Sequence, residues 1–194
     1  ANPYLAFLDV VCRRQARLIA QWMHAGFIHG VMNTDTMAIS GETIDYGPCA
    51  FMDAYDPATV FSSIDERGRY AYGNQPAIAQ WNLARLAETL LPLLDAESQQ
   101  QAVAQATDVI HRFVDHYREQ WLAQARRKLG LYTAQDDDQQ LADDWLALLQ
   151  AQQADFTLAW RYLADALDGD AARLATQFAD PAALSPWLAR WQQR

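Results

Sequence analysis

The sequence predicts a mainly α-helical protein that carries one β-hairpin. Apolar residues recur every three or four positions in residues 3–25, and the same spacing returns from Pro76 and continues with short breaks to residue 194. One stretch, around Gly41 and Glu42, instead alternates between apolar and polar residues, as a half-buried strand does. These patterns favour helices packed on helices, with a single two-stranded ribbon between them.

The first helix is predicted over residues 3–25. Gly26 is expected to end it, because glycine readily adopts the left-handed conformation that closes many helices. The predicted apolar face consists of Leu5, Leu8, Cys12, Ala16, Ile19 and Met23.

A compact, strand-like segment is expected over residues 27–52, and residues 53–75 are interpreted as a long ordered loop. A second helix is predicted from Pro76, a favourable first helical residue, with Asn82 on its polar flank.

Residues 96–194 repeat the helical pattern. Breaks are predicted at Gly130, at residues 168–170 and at Asp180-Pro181.

The composition is that of one globular lobe, with 51% hydrophobic and 20% charged residues among 194. The net charge of −9 argues against nucleic acid or an anionic membrane as a partner, because phosphate binding uses clustered Lys and Arg. No apolar run approaches the roughly 18 residues of a membrane span. Cys12 and Cys49 have no metal-binding spacing, so free thiols and a reducing cytoplasm are expected.

The predicted hairpin pairs residues 36–40 with residues 43–46 across a two-residue Gly41-Glu42 turn. Counting outward from this turn pairs Ser40 with Thr43 and Ala38 with Asp45. Met37, Ile39, Ile44 and Tyr46 then share one face, which is expected to enter the core.

The opposite face of the predicted hairpin carries Thr36 and Asp45 as diagonal neighbours, and Asp35 lies at the same end of the ribbon. Two carboxylates brought together in this way suit a hard, oxygen-liganded cation such as Mg²⁺ together with substrate phosphates. The alternative is that these are surface aspartates at strand ends, where Asp is common.

Part of this region has the pattern of a kinase catalytic centre. Residues 44–47 (IDYG) have the form of the Asp-Phe-Gly element that holds metal, and His29-Gly30 resembles the start of a catalytic loop. Val31 occupies the position of the usual catalytic Asp, and Thr36 that of the metal-binding Asn. An ordinary kinase is therefore disfavoured, whereas the kinase-like metal Asp is retained.

Longer runs of residues carry a more specific resemblance. Residues 26–35 (GFIHGVMNTD), 40–48 (SGETIDYGP), 68–72 (GRYAY), 74–76 (NQP) and 81–83 (WNL) resemble the selenoprotein O family, and residues 155–157 extend the resemblance more weakly. That family consists of pseudokinases that transfer AMP from ATP to hydroxyl side chains of proteins and release pyrophosphate. The resemblance implies the C-lobe of a protein-kinase-like fold.

The resemblance also implies roles for individual residues. Asp35 corresponds to the general base and Asp45 to a metal ligand, for Mg²⁺ or Mn²⁺. The family usually has a second metal ligand, Asn, after the base, and this chain has Thr36 there. Nothing here matches the family's upstream nucleotide-gripping elements, so residues 1–194 are expected to be a C-lobe fragment, inactive without an N-terminal nucleotide-binding lobe.

Two alternatives remain open at this point. The protein is a catalytically lapsed pseudokinase scaffold if Thr36 has abolished metal binding, or it transfers UMP rather than AMP. Phosphoryl transfer is disfavoured by Val31.

Other side-chain clusters are interpreted as structural. The aspartates at 136–138, 143 and 144 lack the Gly and Glu of a calcium loop and are expected to form a solvated helix N-terminus. Five tryptophans are expected to pack between helices: Trp121, Trp145, Trp160, Trp187 and Trp191.

Overall fold

The computed structural model describes residues 2–95 and 97–194 and is built mostly from helices, which confirms the predicted mainly α class. Along these residues run α1 (Pro3–Ala25), β1 (Phe27–Ile28), β2 (Ala50–Phe51), α2 (Gln75–Leu94), α3 (Gln99–Lys128), α4 (Asp138–Gln152), α5 (Phe156–Leu167), α6 (Ala172–Ala175) and α7 (Leu184–Gln193). Single 3₁₀ turns occupy Thr34–Thr36, Tyr72–Asn74 and Pro181–Ala183. Within the described residues no helix is both long and apolar enough to cross a membrane.

Helix α1 has the predicted bounds because both of its ends are capped. The Asn2 side chain accepts hydrogen bonds from the backbone N–H groups of Tyr4 and Leu5 at 2.9 and 3.3 Å. At the other end Gly26 is left-handed, with φ of 69°. A Cβ atom at Gly26 would lie 2.8 Å from the Phe156 ring, so packing also requires glycine there.

The core lies between α1, α2 and α3. Helix α1 packs along α3, and α2 contacts both helices. The buried face of α1 includes Leu8, Cys12, Ala16 and Ile19, each fully buried, as its apolar spacing predicts. Burial of Leu8 and of Ile19 each stabilises the fold by about 1.5–3 kcal/mol relative to exposure. This buried stripe fixes the orientation of α1.

The C-terminal helices pack around tryptophan side chains. Trp145 is fully buried, with its ring centre 4.3 Å from that of Trp187. The indole N–H groups of Trp187 and Trp191 donate to the carbonyl oxygens of Leu141 and Leu129 at 3.0 and 2.8 Å. The predicted packing role of these tryptophans is confirmed.

Asp138, at the start of α4, corrects the prediction of a solvated aspartate cluster. Its side chain is fully buried, and its carboxylate accepts from Arg126 Nε at 2.6 Å and Arg194 Nε at 2.7 Å. The backbone N–H of Gln135 donates to it at 2.9 Å. The carboxylate therefore joins the end of α3 to α4 and the end of α7, a long-range role that its place in an acidic run concealed.

The strand pairing differs from the predicted hairpin. β1 and β2 form a two-stranded antiparallel sheet in which Phe27 pairs with Phe51 and Ile28 with Ala50. Residues 29–49 form a long excursion between these strands. Within it, the predicted hairpin is reduced to a single antiparallel bridge between Met37 and Thr43.

The predicted register is therefore wrong, because Gly41 closes a different turn. Its N–H donates to the carbonyl oxygen of Ala38 at 3.0 Å, and its φ is 78°. The turn thus spans residues 38–41 rather than centring on Gly41-Glu42. Of the predicted core face, only Met37 packs half-buried against the core, whereas Ile39, Ile44 and Tyr46 are 53%, 39% and 59% exposed.

Candidate active site

The excursion between β1 and β2 is held by side chains of the two helices beneath it. From α1, Gln15 Nε2 donates to the Ala38 carbonyl oxygen at 2.6 Å, and Trp22 Nε1 donates to Thr43 Oγ1 at 2.8 Å. From α2, Asn82 Nδ2 donates to the Met32 carbonyl oxygen at 2.9 Å. Asn82 is only 5% exposed, so its predicted place on the polar flank is wrong.

His29, the first residue of the excursion, contacts the backbone of its second half at Ile44. Its ring is fully buried, and its Nε2 lies 2.8 Å from the carbonyl oxygen of Ile44. The Val31 backbone N–H donates to Nδ1 at 3.4 Å, so the ring proton resides on Nε2, which donates to Ile44. This bond fixes the backbone immediately before Asp45.

Gly30 allows the excursion to close on itself. Its φ is 87°, and a Cβ atom there would lie 2.7 Å from the carbonyl oxygen of Pro48. Only glycine avoids both the strained conformation and this clash. The backbone N–H of the preceding His29 donates to Gln75 Oε1 at 3.0 Å, which links this point to the start of α2.

Asp35 lies at the centre of the 3₁₀ turn Thr34–Thr36 and is exposed. Its carboxylate has no hydrogen bond or ion pair with any other residue that the structure describes. The turn is closed by the Thr36 N–H, which donates to the Asn33 carbonyl oxygen at 3.2 Å. The Asp35 carboxylate is therefore open to solvent on a turn whose backbone is held in place.

Asp45 is also exposed, and its backbone is left-handed, with φ of 56°. For a residue other than glycine this conformation costs of the order of 1–3 kcal/mol and persists only where surrounding contacts hold it, often at functional sites. The His29 bond to Ile44 is one such contact. Asp45 likewise has no ion pair in the described part of the chain.

Thr36 does not lie on a strand beside Asp45, as the predicted register required. It is 6% exposed, and its hydroxyl donates to the carbonyl oxygens of Val31 and Asn33, at 2.9 and 3.0 Å. The hydroxyl proton therefore holds the turn together. A lone pair of Oγ1 remains available to accept or to coordinate.

The long loop predicted over residues 53–75 is present and ends where α2 begins at Gln75, and it packs against the excursion. The Tyr70 hydroxyl donates to Asn33 Oδ1 at 2.7 Å. The loop orders itself through Asp65, whose carboxylate accepts from the N–H groups of Arg69 and Tyr70, both at 2.8 Å. Tyr70 thus braces the turn that carries Asp35.

The donor set fits a hard divalent cation only in part. In residues 2–95 and 97–194, no three His, Cys, Asp or Glu side chains form a group that could hold a metal ion. Asp45 offers a carboxylate oxygen without a competing ion pair, and Thr36 offers a lone pair of Oγ1. Mg²⁺ is commonly held by one or two carboxylates together with substrate phosphates, so such a set can bind a metal only with a nucleotide.

The family model described as protein adenylyltransferase SelO matches residues 1–194. A protein nucleotidyltransferase YdiU from Chromobacterium violaceum is 66% identical over 191 residues, which are 98% of this chain and 40% of that protein.

Proteins of the same name from Rhizobium johnstonii and Cereibacter sphaeroides are 59% and 58% identical over 195 and 193 residues. These matches cover 100% of this chain in each case, and 39% and 40% of the two relatives. The chain therefore spans about two fifths of the length of these relatives.

Proposed function

The chain belongs to the protein adenylyltransferase SelO family, and from that premise we propose that the complete protein transfers AMP from ATP to Ser, Thr or Tyr hydroxyls of other proteins. The observation that carries the proposal is the pair of exposed, unpaired carboxylates, Asp35 and Asp45, on one excursion pinned to α1 and α2. The described residues would act as the C-lobe of a kinase-like fold.

In this proposal Asp35 is the general base. A hydroxyl oxygen of the protein substrate attacks the α-phosphorus of ATP, and a new phosphorus–oxygen bond forms as the bond to the β-phosphate bridging oxygen breaks. Pyrophosphate leaves, and the hydroxyl proton passes to Asp35. The exposure of Asp35 and its lack of a partner support this role, because a base must be within reach of the substrate hydroxyl and must have a lone pair that no other group occupies.

Asp45 and Thr36 are the proposed metal ligands. A bound Mg²⁺ or Mn²⁺ would neutralise charge on the nucleotide phosphates and on the leaving pyrophosphate. Asp45 would supply a carboxylate oxygen, and Thr36 would supply only a lone pair of Oγ1, because its proton is committed to the Val31 and Asn33 carbonyls.

A scaffold without catalysis is the second candidate, and Thr36 is the observation that favours it. A buried hydroxyl that donates to two carbonyls is a weaker ligand than the amide oxygen of Asn. The protein then binds nucleotide or partner proteins without turnover.

Reducing surroundings, such as the cytoplasm, are proposed for the protein. Cys12 is buried and Cys49 half-buried, both as free thiols. Burial raises the pKa of the Cys12 thiol to about 12, which leaves it unreactive.

The function is tested by incubating the complete protein with a bystander protein, ATP or UTP, and Mg²⁺ or Mn²⁺, followed by intact-mass analysis of the bystander. A mass gain of one AMP is expected with ATP, and none with Asp45→Ala. Asp136→Asn, an exposed aspartate away from the excursion, is the matched control and should retain transfer. A gain of UMP alone would overturn the choice of nucleotide, and no gain under either metal would favour the scaffold.

A further inference from the structure

A second pocket lies where the C-terminal ends of α1 and α3 meet α5, and none of its residues belongs to the candidate active site. Its volume is about 380 Å³. The polar side chains that line it are His24, Lys128, Thr157, Trp160 and Arg161, and no Asp or Glu is among the lining residues.

Lys128 brings a poorly solvated positive charge to this pocket. Its Nζ donates to the His24 carbonyl oxygen at 2.5 Å and lies 5.0 and 4.5 Å from the ring centres of Phe156 and Trp160. Capping of α1 and contact with two aromatic faces account for its position. None of these contacts neutralises the ammonium charge, and no carboxylate of the described residues pairs with Lys128.

At pH 7 the pocket carries nearly two positive charges, from Lys128 and Arg161. Burial lowers the pKa of Lys128 to about 8, so the ammonium form still predominates. Burial and the nearby Lys128 charge lower the pKa of His24 to about 4, so this imidazole is neutral. Arg161 is exposed and forms no ion pair with any described residue.

One neutral donor of this pocket also lacks an acceptor. Trp160 is 7% exposed, and its indole N–H is buried with no hydrogen-bond partner among the described residues. Thr157, the second residue of α5, adds a side-chain hydroxyl to the pocket. The N-terminus of α5 is itself already capped, because the Asp155 carboxylate accepts from the Leu158 N–H at 2.7 Å. A buried donor without an acceptor is unfavourable, so the Trp160 N–H favours a ligand that carries acceptor atoms.

We propose that this pocket binds a small molecule through a phosphate group. A phosphate presents several acceptor oxygens and up to two negative charges, which match the ammonium, the guanidinium, the indole N–H and Thr157 together. Guanidinium groups bind phosphate through paired hydrogen bonds, and an arginine on the open side of the pocket can close over such a ligand.

The test uses inorganic phosphate as the probe and the complete protein labelled with ¹⁵N at tryptophan. The indole N–H resonance of Trp160, assigned with Trp160→Phe, is followed during titration at constant ionic strength. A saturable shift is expected with phosphate and none with chloride. Arg161→Gln, a change at an exposed residue, should weaken binding about tenfold or more.

Arg118→Gln is the matched control, because Arg118 is exposed on α3 and forms no ion pair with described residues. The substitution removes the same positive charge as Arg161→Gln does. It should leave phosphate affinity unchanged, and so should Asp45→Ala, which separates this site from the proposed function. The proposal is overturned if Trp160 shows no saturable response, or if Arg161→Gln binds phosphate as tightly as the unmodified protein.

Discussion

The Nε2 atom of His29 lies 2.8 Å from the carbonyl oxygen of Ile44, so one buried imidazole spans the excursion that carries both candidate carboxylates. The bond ends at the residue before Asp45, whose φ of 56° must be held by its surroundings. The conformation of the proposed metal ligand therefore depends on a residue that touches neither metal nor substrate.

Replacing His29 by Phe should raise the metal concentration needed for half-maximal transfer and lower its rate, because the Ile44 carbonyl loses its donor. The bond itself is worth about 1 kcal/mol to stability. His29→Gln retains an N–H at a similar reach and should restore much of the metal affinity. Metal titrations of transfer for the three proteins, alongside urea unfolding, make the comparison; equal metal curves for His29→Phe and the unmodified protein would exclude the positioning role.

Gly30→Ala should destabilise the protein more than Gly169→Ala does. Both glycines have nearly the same φ, 87° and 88°, so the conformational strain of an added Cβ is matched. Only at Gly30 does the Cβ meet another group, the Pro48 carbonyl oxygen at 2.7 Å, whereas nothing lies within 4 Å at Gly169.

Strain alone should cost each variant about 1–3 kcal/mol, and the clash should add to the cost at Gly30. The measurement is the free energy of unfolding in urea for both variants. Equal losses at the two positions would show that the excursion does not close tightly on Pro48.

The buried Asp138 carboxylate should make stability depend on pH in the acid range. Burial alone would raise its pKa, but hydrogen bonds from Arg194, the Gln135 N–H and Arg126 outweigh burial and lower the pKa to about 2. Because the folded pKa lies below the unfolded value of 3.8, the contribution is present above pH 4 and is lost as the pH falls towards 2. It should amount to about 2 kcal/mol.

The check is the free energy of unfolding between pH 6 and 2 for the unmodified protein and Asp138→Asn. The variant should be about 3 kcal/mol less stable at pH 6, because two arginines lose a charged partner, and its stability should fall less steeply in acid. Asp136→Asn, at an exposed aspartate, should change neither. A pH profile of Asp138→Asn parallel to that of the unmodified protein would contradict the assignment.

Thr36→Asn should lower the Mg²⁺ or Mn²⁺ concentration needed for AMP transfer, because an amide oxygen is a better ligand than a hydroxyl already bonded to two carbonyls. Thr36→Val keeps the shape but loses both bonds, so it should raise the metal demand and destabilise the turn by about 1–2 kcal/mol. Activity against metal concentration distinguishes the three proteins. Identical curves would remove residue 36 from the metal site.

Helix positions could be predicted from the sequence because their signals are local. The apolar spacing and Gly26 predict α1 with the bounds found, and the predicted break at Gly130 falls just after α3 ends at Lys128. The hairpin could not be predicted correctly, since two turns were compatible with Gly41. The choice is made by distant contacts, including the Gln15 bond to Ala38.

The candidate site, too, could be predicted from the sequence only in part. Asp35 and Asp45 could be singled out because they lie in recognisable short motifs. The residues that hold the excursion are different: Gln15, Trp22 and Asn82 act on backbone carbonyls and a hydroxyl 21 to 50 residues away in sequence. A polar residue at a helix position that should be apolar is the signal that identifies Gln15 and Asn82, and helical spacing alone assigns it no partner.

The role of Asp35 as general base is tested by comparing single-turnover AMP transfer by the complete protein and by its Asp35→Asn variant, with ATP affinity measured in parallel. Asn has nearly the same shape as Asp but accepts no proton, and a positioned base contributes about 10²–10⁴-fold in rate. We expect a rate loss of that order, with ATP affinity nearly unchanged. Transfer by Asp35→Asn at the unmodified rate would contradict it.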